Sequence, residues 1–378
     1  MMLVAETGEG QIINIMEETR TDLERKRTQE LFCPTCHQAV IMKLGMIKQP
    51  HFAHKHRHKC QGLSEPETME HLVGKALIYQ WAKQAEIGVQ LEYALMTIEQ
   101  RPDVWLDQHV AIEFQCSPLA LERLAERNQG YNSQQAKVCW VLGQKFRLNE
   151  RLTSLQRAFL EWHPKLGNYL LFLDVTSEQV VLTYHIQELA FTHELSYSEL
   201  ILTQSEFLQF IMTGIFSRNI YHQWQYLLGE TYQKQFQYLQ RALYSRQKEV
   251  MRIQRALYVE GYHLLALHPI ILLPNILEKT SFLNAIKQRI KLLELLHQQK
   301  SCQKEEVFSA EENHINRSQF DEWLELLADL SLIEIHEREI KSEQPPRIML
   351  TEEEIQQFIE KFLNNRVFVS RLPHNVVS

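Results

Sequence analysis

The chain has 378 residues and a formal net charge of −7, from 40 Lys and Arg against 47 Asp and Glu. This acidic balance argues against a general nucleic-acid coat protein, because such proteins are usually basic throughout. Hydrophobic residues make up 44% of the chain and charged residues 23%, so a folded protein of two or three domains is expected. No run approaches the roughly 18 consecutive apolar residues of a membrane span, and the N-terminal residues lack the pattern of a signal peptide. We therefore expect a cytoplasmic protein with no membrane span.

Residues 1–30 predict an N-terminal β-hairpin and helix. An apolar run, a Gly-Glu-Gly turn and a second apolar run occupy residues 2–15, and a polar segment continues through Arg27. Although the whole chain is acidic, residues 20–59 contain nine Lys and Arg and three Asp and Glu, a local charge of +6. This basic segment is either a nucleic-acid contact or a solvated surface.

Residues 31–62 predict a zinc-binding module. A CxxC turn brings two thiolates toward one ion, and a second pair of ligands from a following hairpin completes a tetrahedron, as in closed structural zinc sites. The predicted ligands are Cys33, Cys36, His54 and Cys60, with His51 as the alternative to His54. The other interpretation is a redox dithiol with incidental histidines, but such a motif usually begins a helix after a strand, and that setting is missing from the sequence here.

Residues 63–188 predict an α/β core. Apolar residues between about 67 and 84 have helical spacing. After this helix the predicted elements are strands at 89–98, 102–106 and 110–116, a helix at about 118–128, a strand at 137–143, a helix at 153–162, and strands at 169–175 and 179–184. The order helix–strand–strand–strand–helix–strand forms a coherent unit with three meandering strands and a crossover to a fourth.

Two carboxylates fall on neighbouring predicted strands of this core. Asp103 begins one strand, and Glu113 lies in the middle of the next, with Gln115 on the same face as Glu113. If the two strands form a hairpin, Asp103 lies near Glu113. Carboxylates in such an apolar setting are costly unless they bind a cation, and their oxygens suit Mg²⁺ or Mn²⁺. We therefore predict a catalytic ion that polarises a phosphodiester and activates a water molecule.

Pro102-Asp103 and Glu113-Phe114-Gln115, on the order αβββαβ, resemble the PD-(D/E)XK nuclease superfamily, which has a restriction-endonuclease-like core. The departure is Gln115, where most members carry lysine. Glutamine can hydrogen-bond a water molecule or a phosphate oxygen, but it cannot transfer a proton.

The same resemblance implies roles for residues on the two helices of the core. Glu70 would complete the metal site as a third carboxylate, and the alternative for Glu70 is an exposed helix glutamate. Arg127, Gln129 and Tyr131 would contact the DNA backbone. The alternative for that segment is a helix end with Gly130 just beyond it.

A set of motifs between residues 32 and 143 resembles the competence protein CoiA family. In chain order they are FCPTC, KQPHFAHKHRHKC, Glu70-His71, Gly74-Lys75, QRPDVWL, AIEFQCS, ERNQGY and VCWVLG. The resemblance implies a cytoplasmic protein of natural transformation that acts on incoming single-stranded DNA near the recombination step.

Residues 189–378 predict a long, mostly α-helical region. Apolar residues from Leu228 to Leu257 recur at steps of three, four or seven and predict one amphipathic helix. This basic helix either packs against the core, which is the default, or binds nucleic acid or a protein partner. Residues 318–363 suggest a winged-helix-like order of helix, two strands and helix.

Three functions are consistent with these patterns. The leading hypothesis is a metal-dependent deoxyribonuclease that uses Asp103, Glu113 and Gln115, assisted by Glu70. The alternative is a catalytically inactive DNA-binding adaptor that recruits recombination proteins. Gln115 favours the adaptor, whereas the two retained acids favour the enzyme. A restriction-type nuclease of a phage or mobile element is a third option.

Overall fold

The structure is a computed structural model, and the residues that it describes form three β-sheets and two large hydrophobic cores. It describes residues 1–45, 48–56, 68–107, 109–163, 165–188, 194–218, 220–273, 282–307 and 317–363. Among the helices of these ranges, none combines the length and the apolar character needed to cross a bilayer.

The N-terminal part forms a five-stranded antiparallel sheet with one short helix. Its elements are β1 (Val4–Thr7), β2 (Ile12–Asn14), α1 (Arg20–Lys26), β3 (Leu31–Phe32), β4 (Ala39–Lys43) and β5 (His51–His54), and the strand order is β2-β1-β3-β4-β5. The Thr19 side chain caps α1 by accepting a hydrogen bond from the Asp22 N–H. The hairpin predicted from the two apolar runs is β1–β2.

An eight-stranded mixed sheet follows. Its elements, with their flanking helices, are α2 (Met69–Gln84), β6 (Val89–Leu91), β7 (Val104–Leu106), β8 (Val110–Gln115), α3 (Leu121–Ser133), β9 (Lys137–Leu142), α4 (Ser154–Phe159), β10 (Glu161–His163), β11 (Gly167–Asp174), β12 (Gln179–Glu188), β13 (Leu195–Leu202) and α5 (Gln204–Thr213). The order is β13-β12-β11-β9-β8-β7-β6, and β10 pairs with β11 beside it. Strands β6, β7 and β8 are antiparallel, and β8 and β9 are parallel. The predicted order of helix, three meandering strands, helix and crossover strand is therefore confirmed.

Three predicted boundaries in this layer are wrong. The helix predicted at 153–162 ends at Phe159, and strand β10 follows it. Strand β6 ends at Leu91 rather than residue 98, because Glu92 adopts a left-handed conformation with φ of 50°. Helix α3 continues past Gly130 to Ser133. A Cβ atom on Gly130 would lie 2.1 Å from Nε2 of Gln100, so this glycine makes room for a neighbouring side chain and does not end the helix.

The C-terminal part is mostly helical and contains a small antiparallel sheet of order β14-β16-β15. Its elements are α6 (Tyr221–Tyr244), α7 (Lys248–Val259), α8 (Phe282–Gln299), β14 (Ser301–Gln303), α9 (Lys304–Val307), α10 (Arg317–Asp329), β15 (Glu334–His336), β16 (Glu339–Lys341) and α11 (Glu352–Leu363). The single amphipathic helix predicted between Leu228 and Leu257 is wrong, because Arg246 has a φ of 55° and separates α6 from α7. The apolar stripe nevertheless packs into the second core, where Phe236 and Ile253 are buried.

Candidate metal centre and carboxylate site

The predicted zinc ligands Cys33, Cys36 and His54 come together in the N-terminal sheet. The two cysteines lie in the turn between β3 and β4, where the His37 N–H donates to the Cys33 carbonyl at 2.9 Å. His54 ends β5. One ligand atom from each of the three side chains lies within 4.8 Å of the others, and Cys36 Sγ is 3.2 Å from His54 Nε2. Two thiolates and an imidazole suit zinc, so this group could bind a metal ion such as zinc.

His54, rather than His51, belongs to this group. The β4–β5 register pairs His54 with Val40 and His51 with Lys43, and residues three apart on a strand project from opposite faces. His51 is buried, with Nδ1 2.9 Å from the Gln49 carbonyl oxygen. The fourth predicted ligand, Cys60, lies outside the described residues.

The predicted acids Asp103 and Glu113 occupy facing positions on neighbouring strands. Val104 of β7 pairs with Ile112 of β8, so Asp103, one residue before β7, comes opposite Glu113. The Asp103 Oδ2 atom accepts a hydrogen bond of 2.9 Å from the Phe114 N–H, the residue that follows Glu113. The backbone therefore brings the two acids to the same end of this strand pair.

The side chain of Asp103 is bound by residues of α2. His71 Nε2 lies 2.8 Å from Oδ2, and Lys75 Nζ lies 3.8 Å from Oδ1. Burial alone would raise the pKa of Asp103, but the charges of His71 and Lys75, together with the Phe114 N–H, hold that pKa well below its ordinary value. Asp103 is therefore ionised at neutral pH.

The side chain of Glu113 is bound by residues of α3. Arg127 and the Tyr131 hydroxyl both donate to Oε1, and Arg127 Nη2 also lies 3.2 Å from the Tyr131 oxygen. Burial raises the pKa of Glu113, Arg127 opposes that rise, and the nearby charge of Asp103 adds to it. The two acids thus influence each other electrostatically while their hydrogen bonds run to different helices.

A second buried charge network adjoins Asp103, and sequence reasoning missed it. Lys75 is fully buried, and its Nζ lies 2.7 Å from Glu92 Oε1, which also accepts a hydrogen bond from the Leu3 N–H at 3.0 Å. Arg101 lies 3.7 Å from the other Glu92 oxygen. The sequence does contain one indication of this network. Lys75 lies three positions from both Leu72 and Ile78, which places a charged residue on the apolar face of the predicted helix.

Gln115 and Glu70 lie near this end of the sheet but bond elsewhere. The Gln115 amide donates to the Ser117 carbonyl at 2.6 Å, and Glu70 Oε1 accepts from the Gln144 N–H at 2.8 Å. A Cβ atom on Gly143 would lie 2.6 Å from Glu70 Oε1, so a larger residue at this position would clash with the Glu70 carboxylate. Within the described ranges, Cys33, Cys36 and His54 are the one group of three or more potential ligands within 4.8 Å of each other, and Glu70 forms no such group with the paired acids.

The three residues predicted to contact DNA differ in their exposure. Gln129 is exposed, Arg127 is half-buried, and Tyr131 is fully buried with its hydroxyl on Glu113. Tyr131 is therefore not accessible to DNA in this arrangement. Its hydroxyl contacts Glu113 and Arg127 within the site.

Comparisons with known proteins agree with this architecture. The chain matches the family model described as "Competence protein CoiA, nuclease-like domain" over residues 67–214 and the one described as "Competence protein CoiA, N-terminal domain" over residues 15–62. It is thus a mixed α/β protein in which a candidate Cys/His metal module precedes a nuclease-like domain. The chain belongs to the competence protein CoiA family.

One curated relative is the competence protein CoiA of Bacillus subtilis (strain 168). The two sequences are 36% identical over 123 residues, which is 32% of this chain and 33% of the relative. The alignment therefore spans about a third of the relative's length. No solved structure matches the chain.

Proposed function

We propose that this chain processes incoming DNA, in single-stranded form, during natural transformation in the cytoplasm, before or during recombination. The observation that carries the proposal is the facing pair Asp103 and Glu113 on antiparallel strands β7 and β8, within the order αβββαβ. That arrangement is the one expected of a PD-(D/E)XK core. The family's nuclease-like description and its role in competence support the same interpretation.

The residues of the site fit a divalent ion in the kind of ligand they offer. Asp103 and Glu113 are hard oxygen ligands, which suit Mg²⁺ or Mn²⁺. When bound there, such an ion would polarise the phosphodiester and acidify a water molecule. The chain's own contribution is to keep Asp103 ionised through His71 and Lys75, and to orient it through the hydrogen bond with His71.

The position of Arg127 sets a condition on that chemistry. Its guanidinium pairs with Oε1 of Glu113, so an ion at Glu113 would lie next to a positive charge unless Arg127 moves. A DNA phosphate is a strong acceptor for a guanidinium and offers an alternative partner. Glu113 would then become available to the ion when DNA is bound.

A second candidate function is favoured by the same contact. Arg127 and Lys75 already neutralise the acids, and Gln115 supplies no positive charge. A nuclease fold in this state can serve as an inactive adaptor that binds DNA and recruits recombination proteins. The two candidates differ in whether DNA is cut.

A cleavage assay separates them. Purified protein is incubated with labelled single- and double-stranded DNA and Mg²⁺ or Mn²⁺, beside Asp103→Asn, Glu113→Gln and the control Glu122→Gln, whose side chain is exposed on α3. Cleavage of single-stranded DNA that the first two changes abolish and the control retains supports the enzyme. Binding without cleavage in all four proteins supports the adaptor. A wild-type protein that neither binds nor cuts DNA contradicts both.

A further inference from the structure

We infer that the N-terminal sheet carries a binding groove for single-stranded DNA, separate from the Asp103–Glu113 pair. This inference rests on the proposed function, because it assigns DNA a place on the molecule. The groove has a volume of about 770 Å³ and lies along β4. We call it the basic groove and define it by Arg27, Phe32, Ile41, Lys43 and Lys55, which line it.

The alternation of β4 produces the apolar part of the groove. Val40 and Met42 point into the core, whereas Ile41 and Lys43 lie on the outer face. Phe32 of β3 pairs with Ala39 of β4 and therefore shares that outer face. Ile41 is 43% exposed on that face. Phe32 and Ile41 therefore place apolar surface next to the cations that line the groove.

The walls of the groove are positively charged. Arg27, Lys43 and Lys55 are exposed, and Glu30 is the one acid among the lining residues. Within the part of the chain that the structure describes, none of these three cations forms an ion pair. Cations left without acidic partners, in a chain whose net charge is −7, create a local field that attracts a polyanion.

The combination of charge and apolar surface favours a single strand over a duplex. Proteins that bind single-stranded DNA pair a positively charged groove with aromatic side chains on which unstacked bases lie. Phe32 offers one such ring, with Ile41 as a further apolar contact, between cations that can contact the phosphates. A duplex keeps its bases stacked inside and would leave that apolar surface without a partner.

The test is a titration of labelled oligothymidylate with the full-length protein, read by fluorescence anisotropy at several salt concentrations. The variant Lys43→Glu/Lys55→Glu reverses two charges of the groove. The control Arg338→Glu/Lys361→Glu makes the same change of charge at two exposed residues of the C-terminal part. We expect the groove variant to lose about tenfold or more in affinity and the control to bind like wild type. The slope of log affinity against log salt should fall by about 1.4, for two lost phosphate contacts.

Phe32→Leu provides a second variant, which keeps the apolar volume and removes the ring. It should weaken binding by about fivefold or more through lost stacking. Unchanged zinc content in all variants checks that the N-terminal sheet is intact.

Wild-type affinity in both groove variants would overturn the inference while leaving the proposed function standing. So would a loss seen with oligouridylate but not with oligothymidylate, since that assigns the groove to RNA. Failure of the wild type itself to bind DNA would instead refute the proposed function.

Discussion

Arg127 of α3 forms a buried ion pair with Glu113 of β8, and the same guanidinium nitrogen contacts the Tyr131 hydroxyl and the Arg101 carbonyl oxygen. One of the two facing acids is thus paired with a cation of its own chain. This relationship makes the availability of Glu113 depend on where Arg127 lies. It also leads to the first prediction.

Replacing Arg127 by Gln should raise the affinity of the site for Mn²⁺ in the absence of DNA by about tenfold or more, because a positive charge next to a bound cation is strongly unfavourable in a partly buried site. Electron paramagnetic resonance of free Mn²⁺ measures the change. The control Arg127→Gln/Glu113→Gln should lose the gain, since it lacks the carboxylate. Equal Mn²⁺ affinity in wild type and Arg127→Gln would show that the ion pair does not compete with a metal ion.

Replacing Lys75 by Met should lower the free energy of unfolding by about 3–5 kcal/mol, because Glu92 and Asp103 would lose a buried ammonium partner. Urea unfolding measures the loss. Lys83→Met is the matched control in the same helix, since the Lys83 side chain is 51% exposed and its ion pair with Glu17 contributes at most about 1 kcal/mol. Adding Glu92→Gln to Lys75→Met should recover part of the stability. A Lys75→Met protein as stable as the control would contradict the charge network.

Gly74→Ala should destabilise the packing of α2 on β8. A Cβ atom at this position would lie 2.0 Å from the Phe114 ring, which is buried and stacks with His71 at 6.0 Å between ring centroids. We expect a loss of about 1–3 kcal/mol in the free energy of unfolding, typical of an overpacked core. Gly8→Ala serves as control, since its Cβ would lie 3.9 Å from its nearest neighbour. Equal stability of the two variants would refute the close approach.

Zinc content tests the Cys/His group. Cys33→Ser and His54→Ala should lower the zinc bound per chain, as measured by elemental analysis, because each removes one ligand of a closed site. His51→Ala and Cys302→Ser should keep it, since His51 lies outside the group and Cys302 is a buried thiol of the C-terminal sheet. Cys60→Ser tests the fourth ligand. Full zinc occupancy in Cys33→Ser would rule out this site.

Local sequence patterns predicted the parts of the fold that depend on near neighbours. A short, mostly apolar run predicted β8, and the CxxC spacing predicted the turn that brings Cys33 and Cys36 together. Of the two candidate histidines, His54 is the one that lies with Cys33 and Cys36. The register of β5 against β4 places His54 there, and this register cannot be read from the spacing of the residues in the sequence.

The donors that bind each acid could not be read from the sequence. Arg127 is 14 residues from Glu113 and His71 is 32 residues from Asp103, so their contacts depend on how α3 and α2 pack on the sheet. The early end of β6 and the break at Arg246 depend on left-handed residues other than glycine, which leave no clear mark in a sequence.

The most direct test of the carboxylate site is a crystal structure of the protein with Mn²⁺ and a non-hydrolysable single-stranded phosphorothioate DNA. The anomalous signal locates the ion. We predict an ion bound by oxygens of both Asp103 and Glu113, with Arg127 turned from Glu113 to a phosphate. A complex in which DNA is bound, no ion lies at the two acids and Arg127 still pairs with Glu113 would contradict a metal-dependent nuclease.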